Sequence, residues 1–250
     1  QLKSYIPLTP PVRRFSTNPI EHYYDFVRSR KSDTILQLHD AWYPNDGRKR
    51  VPFPLLDDYF TAETLAWWYQ DDGHLKIVNG AINRIILATN GFDPSDVQGL
   101  QQLLFNRFRL SFKRDGQNRL ILYDKYQVLH FLYIVEPWMQ PCMARKKNPN
   151  VPPRTFAKKP AIRIPTNIQL QRPTKEMNDA LVALDYFFDK SHVNMERVAE
   201  QFLPRHIQTI DKKHYQVRLT EENRKRLYQL IRQTGLSLSE LATWCFDTKK

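Results

Sequence analysis

At 250 residues the chain is long enough for one ordinary domain and a smaller second unit, and its formal charge of +12, from 38 Lys and Arg against 26 Asp and Glu, favours partners that carry phosphates. No run of 18 apolar residues is present, so the sequence predicts no membrane helix and no membrane partner. The two cysteines, Cys142 and Cys245, stand far apart with no Cys or His at ligand spacing, which argues against a zinc knuckle and a disulfide framework.

The chain opens at Gln1, and QLKSYIPLTPP has neither the apolar core of a secretory signal nor the Arg/Ser-rich character of a transit peptide, so it reads as a fragment or processed product. Thr61, or the residue after it, opens a helix through TAETLAWWYQDD, and Gly73 is expected to stop it in a left-handed cap. HLKIVNGAINRIILAT gives two β-like runs around Asn79-Gly80, the strongest short signal for a tight hairpin turn. Asp93 is the expected N-cap of a second helix, with Pro94 at its first position and Asp96 in its first turn. Val97, Leu100, Leu103, Leu104 and Phe108 follow helical spacing and define a core face. LSFKRDGQNRLILY predicts a second hairpin turning at Asp115-Gly116, and KYQVLHFLYIVEPW a third helix before Pro137. The expected fold class is therefore α+β, with four antiparallel strands packed under helices on one face. The other face would expose Lys76, Arg84, Lys113 and Arg119, a basic surface suited to a major groove.

From Pro137 to Lys175 there is no acidic residue, while Arg145, Lys146, Lys147, Arg154, Lys158, Lys159, Arg163, Arg172 and Lys175 supply nine positive charges among eight prolines. Proline removes backbone donors, so this stretch reads as an extended basic linker, either a solvated tether or a segment that tracks a nucleic-acid backbone. HYQVRLTEENRKRLYQLIRQTGLSLSELATWCF then predicts a strand, a helix, a turn at Gly235 and a helix capped by Ser237 with Glu240 three residues on. This tail resembles the ribbon-helix-helix fold, and NIQLQRPTKEMNDALVALDYFFDKSHVNMERVAEQF reads as a degenerate copy of it. The plainer alternative is a helical domain with Leu227, Leu230, Ile231, Leu238 and Leu241 as core.

Chemistry concentrates at Asp71-Asp72-Gly73. A carboxylate at the C-terminal end of a helix sits at the unfavourable pole of the macrodipole, a cost that a bound divalent cation would offset. An isolated Asp-Asp-Gly is more often a simple turn; here its neighbours change the reading.

The segment Leu65-Ala66-Trp67-Trp68-Tyr69-Gln70-Asp71-Asp72-Gly73 resembles the motif of the LAGLIDADG homing endonucleases, in the form taken by the second of two motifs. ATNGF at Ala88–Phe92, EPWMQPCMARK at Glu136–Lys146 and WYPNDGRKRVP at Trp42–Pro52 are similar to family stretches at corresponding places, and the resemblance covers roughly residues 11–147. It implies an αββαββα unit with a saddle-shaped antiparallel sheet over residues 57–147, a partial first repeat and connector over 1–56, a basic linker over 148–173 and a mostly helical DNA-binding extension over 174–250. It also implies a site-specific endonuclease acting on double-stranded DNA with Mg²⁺. Asp72 would be the metal ligand, Asn90 would stand where the family often has Gln to orient water, and Lys146 would be the basic residue near the reaction centre, giving Asp72, Asn90 and Lys146 as catalytic residues. The DNA-binding set would be Lys76, Arg84, Lys113, Arg119, Arg145 and Lys147. No first motif precedes residue 60, which implies either an incomplete chain or self-association with a second copy. A non-cleaving RNA-splicing maturase or DNA-binding regulator is the alternative. Genes of this kind place the product inside the cell, in an organelle or the bacterial cytoplasm.

Overall fold

The computed structural model describes residues 7–44, 47–147, 157, 159–203 and 211–248. It begins with a two-stranded hairpin, β1 (Val12–Ser16) and β2 (His22–Phe26), and a helix, α1 (Asp33–Trp42), whose Ser32 N-cap accepts from the Ile35 amide. None of these three elements has a buried residue, and Phe15, Tyr23, Tyr24 and Leu36 remain exposed. A lone two-stranded hairpin is marginal in water, so this stretch has no core of its own among the described residues.

After α2 (Phe53–Tyr59), helix α3 (Ala62–Asp72) starts where Thr61 and Thr64 form a reciprocal capping box. It runs directly into β3 (Gly73–Val78), and here the expected left-handed cap is corrected: Gly73 has φ −91° and ψ 153°. Glycine is needed for another reason, because a Cβ would overlap the ring and backbone of Tyr69. Gly73→Ala is expected to cost about 3 kcal/mol through overpacking and to lower the melting temperature by several degrees; an unchanged melt would refute the close-approach argument.

β3 pairs with β4 (Ala81–Leu87) through a turn in which Asn79 and Gly80 both have positive φ, 50° and 72°, as the Asn-Gly signal predicts. Helix α4 (Pro94–Phe108) buries Val97, Leu100, Leu103 and Leu104. Its Asp93 makes no side-chain capping bond, contrary to expectation; Asp93 pairs with Arg50, and Asp96 accepts from the Val51 amide at 3.2 Å, so both carboxylates fasten the helix to the preceding connector. The second hairpin, β5 (Lys113–Arg114) and β6 (Leu120–Leu122), is shorter than its sequence suggests. The left-handed residue of its turn is Asn118 rather than Gly116, since the Asp115 carboxylate accepts from the Gln117 and Arg119 amides and sets the bend. The four strands lie in the order β3-β4-β6-β5, all antiparallel. Leu75, Ile85, Leu87, Leu120 and Leu122 face a core shared with α3, α4 and α5 (Lys125–Val135).

Helix α5 is buried nearly all round, because it lies between this core and a second one that receives Tyr126. His130 sits on it, 8% exposed, between Tyr126 and Tyr133, with Nδ1 unpartnered, and burial lowers its pKa to about 4. The unfolded chain takes up a proton near pH 6.5 that the folded chain refuses until about pH 4, so the stability present above pH 6.5 declines as pH falls through that window. His130→Gln is expected to remove on the order of 3 kcal/mol of this acid sensitivity. Urea midpoints at pH 7 and pH 4.5 would check it, and equal acid loss in both proteins would reject it.

The described residues of the stretch from Pro137 to Lys175 depart from the extended linker expected there. Glu136–Trp138 and Pro141–Lys146 form 3-10 turns with proline in their first turns, packed against the end of α3. Ala161–Pro165 forms a strand, β7, with Ile162 and Ile164 fully buried. Arg154 and Lys158, and the stretch 148–156, lie outside the described residues.

The remaining elements are α6 (Pro173–Leu181), a 3-10 turn at Val182–Phe187, the small hairpin β8 (Phe188–Asp189) and β9 (His192–Val193), α7 (Met195–Phe202), β10 (Lys212–Gln216), α8 (Glu221–Thr234) and α9 (Leu238–Asp247). β7 and β10 pair antiparallel, so a strand followed by helices occurs twice around one ribbon. The strand expected within NIQLQ is thus displaced upstream to 161–165. Ser237 and Glu240 form the predicted capping box, Gly235 takes φ 73°, and Leu227, Leu230 and Leu241 are fully buried.

Candidate active site

Helix α3 carries two faces with different tasks. Leu65, Ala66, Tyr69 and Gln70 are buried, and these hold the end of the helix in place. The Gln70 side chain accepts from the Gln140 amide at 2.6 Å, and the Tyr69 hydroxyl donates to the Lys146 carbonyl at 2.8 Å, so both grip the segment after α5. Burial raises the Tyr69 hydroxyl's pKa well above the usual phenol range, which keeps it a donor.

Lys146 is itself buried, and its ammonium donates to the carbonyl oxygens of Gln70 at 2.6 Å, Tyr69 at 3.2 Å and Asp71 at 3.4 Å. These carbonyls belong to the last turn of the helix, where intrahelical partners run out, although the Tyr69 carbonyl also accepts from the Gly73 amide. A cation there also matches the negative pole of the macrodipole. Burial and the neighbouring Arg145 pull the Lys146 pKa down, while Asp71 and Asp72 pull it back up. Lys146 is therefore held at the end of α3 that carries Asp72, with its hydrogens engaged by backbone.

Asp72 is exposed and makes no ion pair among the described residues. Its carbonyl accepts from the Ala88 amide at 3.1 Å, which brings the 88–92 loop against the helix end. That loop is pinned from the second hairpin: Thr89 Oγ1 donates to the Asn118 carbonyl at 2.6 Å, and Asn118 Nδ2 donates to the Phe92 carbonyl at 2.8 Å. Asn90, exposed at the loop's tip, thus stands at the same end of the sheet as Asp72 and Lys146. Asp72 also borders an apolar groove of about 340 Å³ lined by Trp42, Phe60, Trp68 and Phe92, where Lys49 lies 4.5 Å from the Phe92 ring centre. Trp68 meets Phe60 edge-on at 6.3 Å, whereas Trp67 is 44% exposed.

The register assigns the outer face of the sheet. Lys76 opposes Arg84, His74 opposes Ile86, and Lys113 opposes Ile121, which itself opposes Ile86; directly paired residues share a face, so Lys76, Arg84 and Lys113 stand together. The Arg84 guanidinium lies over Tyr123 at 5.6 Å with Nε unpartnered. Arg119 follows the same alternation but is held by Asp115 at 2.7 Å, so its charge is largely spent locally. Arg145 is exposed beside the α3 terminus, whereas Lys147 lines, with Lys146, a groove that also holds Glu136, Met195 and Gln233. Sequence reasoning passed over His74, Lys49 and the anchors Tyr69 and Gln70. The two-residue alternation from Lys76 would have found His74; Lys49 and the anchors depend on tertiary contacts that have no local signal.

The donors fit a divalent cation held in the usual way for Mg²⁺, by one or two carboxylates with phosphate oxygens and water. Asp72 and Asp71 are adjacent exposed carboxylates at a helix end, and Asn90 adds an amide nearby. No group of three His, Cys, Asp or Glu donors forms among the described residues, so the other ligands would come from phosphate and water.

Residues 1–131 match the LAGLIDADG DNA endonuclease family. The chain is 27% identical over 130 residues to the intron-encoded endonuclease ai4 of Dictyostelium discoideum, a match that covers 49% of this chain and 76% of that protein. Among solved structures it is similar to the homing endonuclease I-WcaI bound to its DNA recognition sequence, at 24% identity and a TM-score of 0.48, covering 57% of this chain and 66% of the other.

Proposed function

We propose that this chain, which belongs to the LAGLIDADG DNA endonuclease family, hydrolyses phosphodiester bonds in double-stranded DNA with a divalent metal at Asp72. The observation that carries the reading is a free, exposed carboxylate fixed at the C-terminal pole of α3 while a buried lysine neutralises the carbonyls beneath it. The lysine takes the helix end's demand for a cation, and the carboxylate is left to bind one from solution. A bound Mg²⁺ would supply Lewis acidity and a water of lowered pKa. Asn90, at the tip of the pinned loop, orients water by its amide, and the exposed Arg145 draws phosphate towards the carboxylate. Lys76, Arg84 and Lys113 hold the duplex along the sheet by neutralising phosphates. The similarity to an intron-encoded endonuclease supports the same reaction class.

The test is incubation of the full chain with a supercoiled plasmid library of long random inserts, with Mg²⁺ and with excess chelator. Nicked or linear product that needs Mg²⁺ and depends on Asp72 supports the reading. A second reading, binding without cleavage as in a maturase or regulator, is favoured by Trp67, whose exposed bulk obstructs close packing of another helix on the outer face of α3. Duplex binding with no product in Mg²⁺ would assign that reading instead.

A further inference from the structure

The hairpin of β1 and β2 carries aromatic and basic side chains that neither a core nor the Asp72 site uses. Directly paired residues share a face, and here Val12 opposes Phe26, Arg14 opposes Tyr24 and Ser16 opposes His22. His22, Tyr24 and Phe26 therefore line one face as a ladder, with successive ring centres 6.0 and 6.3 Å apart. The guanidinium of Arg14 lies 4.5 Å from the centre of the Phe26 ring and that of Arg28 5.5 Å from it, so two cations flank one end of the ladder. Among the described residues no ion pair engages either of them. Asp25, the acid of β2, is taken by Arg13 on the opposite face at 2.9 Å. His22 Nδ1 donates to the Ile20 carbonyl at 2.7 Å, which fixes that ring, and no residue of the face is buried.

We infer that this face of the hairpin is a stacking platform for the unpaired bases of single-stranded DNA, separate from the chemistry at Asp72. Aromatic rings in series beside positive charge are what a single strand needs: successive bases stack on the rings while the cations follow the phosphates. Successive nucleotides of one duplex strand rise about 3.4 Å, roughly half the spacing of the rings, and their faces are already covered by one another. The ladder therefore fits bases that are spread apart. Exposed apolar area by itself would suit a lipid surface or another protein. The unpaired guanidinium groups of Arg14 and Arg28, with Arg30 and Lys31 exposed just beyond β2, select instead an anionic polymer that carries planar groups. The choice of DNA follows from the family, whose match over residues 1–131 includes the hairpin. A hairpin that buries nothing of its own is marginal in water, and bases laid on the ladder would give it the cover it lacks.

The experiment is fluorescence anisotropy of the full chain, without divalent metal, with a labelled oligo-dT of about 12 nucleotides, within the site sizes usual for such platforms. An abasic strand, an oligo-U and a duplex, all of equal length, are the comparisons. Oligo-dT should bind roughly tenfold or more tightly than the abasic strand, since each base on an aromatic ring contributes that much or more. Tyr24→Ala should weaken oligo-dT binding roughly tenfold and Tyr24→Phe should keep the parent affinity, while duplex affinity changes less than about twofold in both. In Arg14→Ala with Arg28→Ala, log affinity for oligo-dT should fall with log salt less steeply by about 1.4, from about 0.7 for each single-strand phosphate released. The abasic comparison needs no variant, so it stands even where Tyr24→Ala disturbs the hairpin. Equal binding of the abasic strand, unchanged oligo-dT affinity in Tyr24→Ala, an equal loss of duplex binding there, or tighter binding of oligo-U than of oligo-dT would overturn the inference. Asp72→Asn should leave oligo-dT binding unchanged, so failure of the platform and failure of the nuclease reading are separately visible.

Discussion

Asp72→Asn is expected to abolish Mg²⁺-dependent cleavage, by roughly 10³-fold or more, while duplex affinity stays within a few-fold of the parent. The substitution keeps the size and hydrogen-bonding reach of the side chain and removes only its charge, so the fold of α3 has no reason to change: Asp72 is exposed and anchors nothing by its side chain among the described residues. Its backbone carbonyl, which receives the Ala88 amide, is unaffected. The asparagine also relieves the helix end of an unfavourable charge, so thermal stability should hold or rise by a few tenths of a kcal/mol. Plasmid cleavage rates and anisotropy measured on the same preparations decide it. A variant that cuts at the parent rate would remove Asp72 from the chemistry; one that loses binding as well would show that the carboxylate has a structural task.

Lys146→Met is expected to destabilise the chain by about 2–4 kcal/mol, because three carbonyl oxygens at the end of α3 lose a charged donor in a place that water reaches poorly. The loss combines the hydrogen bonds with the favourable pairing of a cation and the helix pole. Tyr69→Phe removes a smaller contact, the 2.8 Å bond from the hydroxyl to the Lys146 carbonyl, and should cost about 1 kcal/mol. The two groups clasp the same pair of segments, so the double variant should lose less than the sum of the single losses. Urea denaturation of the four proteins measures this coupling. If Lys146→Met leaves the midpoint unchanged and depresses cleavage alone, the lysine works on the substrate, as the resemblance implied.

The order of elements from Thr61 to Trp138 was legible because each carried a local device: a cap before α3, Asn-Gly in the first hairpin, Asp-Pro before α4, and apolar residues at helical or two-residue spacing. Local patterning also placed Lys76, Arg84 and Lys113 on one sheet face, since alternation along a strand is fixed by backbone geometry. What failed were readings that treated composition as conformation. The basic, proline-rich stretch looked like an unpaired tether, yet Pro137 and Pro141 lie in the first turns of 3-10 turns, and the alternation Ala161-Ile162-Arg163-Ile164 inside it makes a paired strand. Gly73 looked like a left-handed stop, but its need for space comes from Tyr69 one turn earlier.

Sequence alone determined the elements from Thr61 to Val135, the sign of the surface charge and the carboxylate worth watching, because these follow from covalent geometry and spacing over a few residues. Only the tertiary structure decided what each charged group does. Lys146 and the carbonyls of α3 lie 75 to 77 residues apart along the chain, and β7 meets its partner β10 across some fifty residues. Coulomb attraction and hydrogen bonding act over ångströms of space, and the fold alone sets which residues those ångströms join.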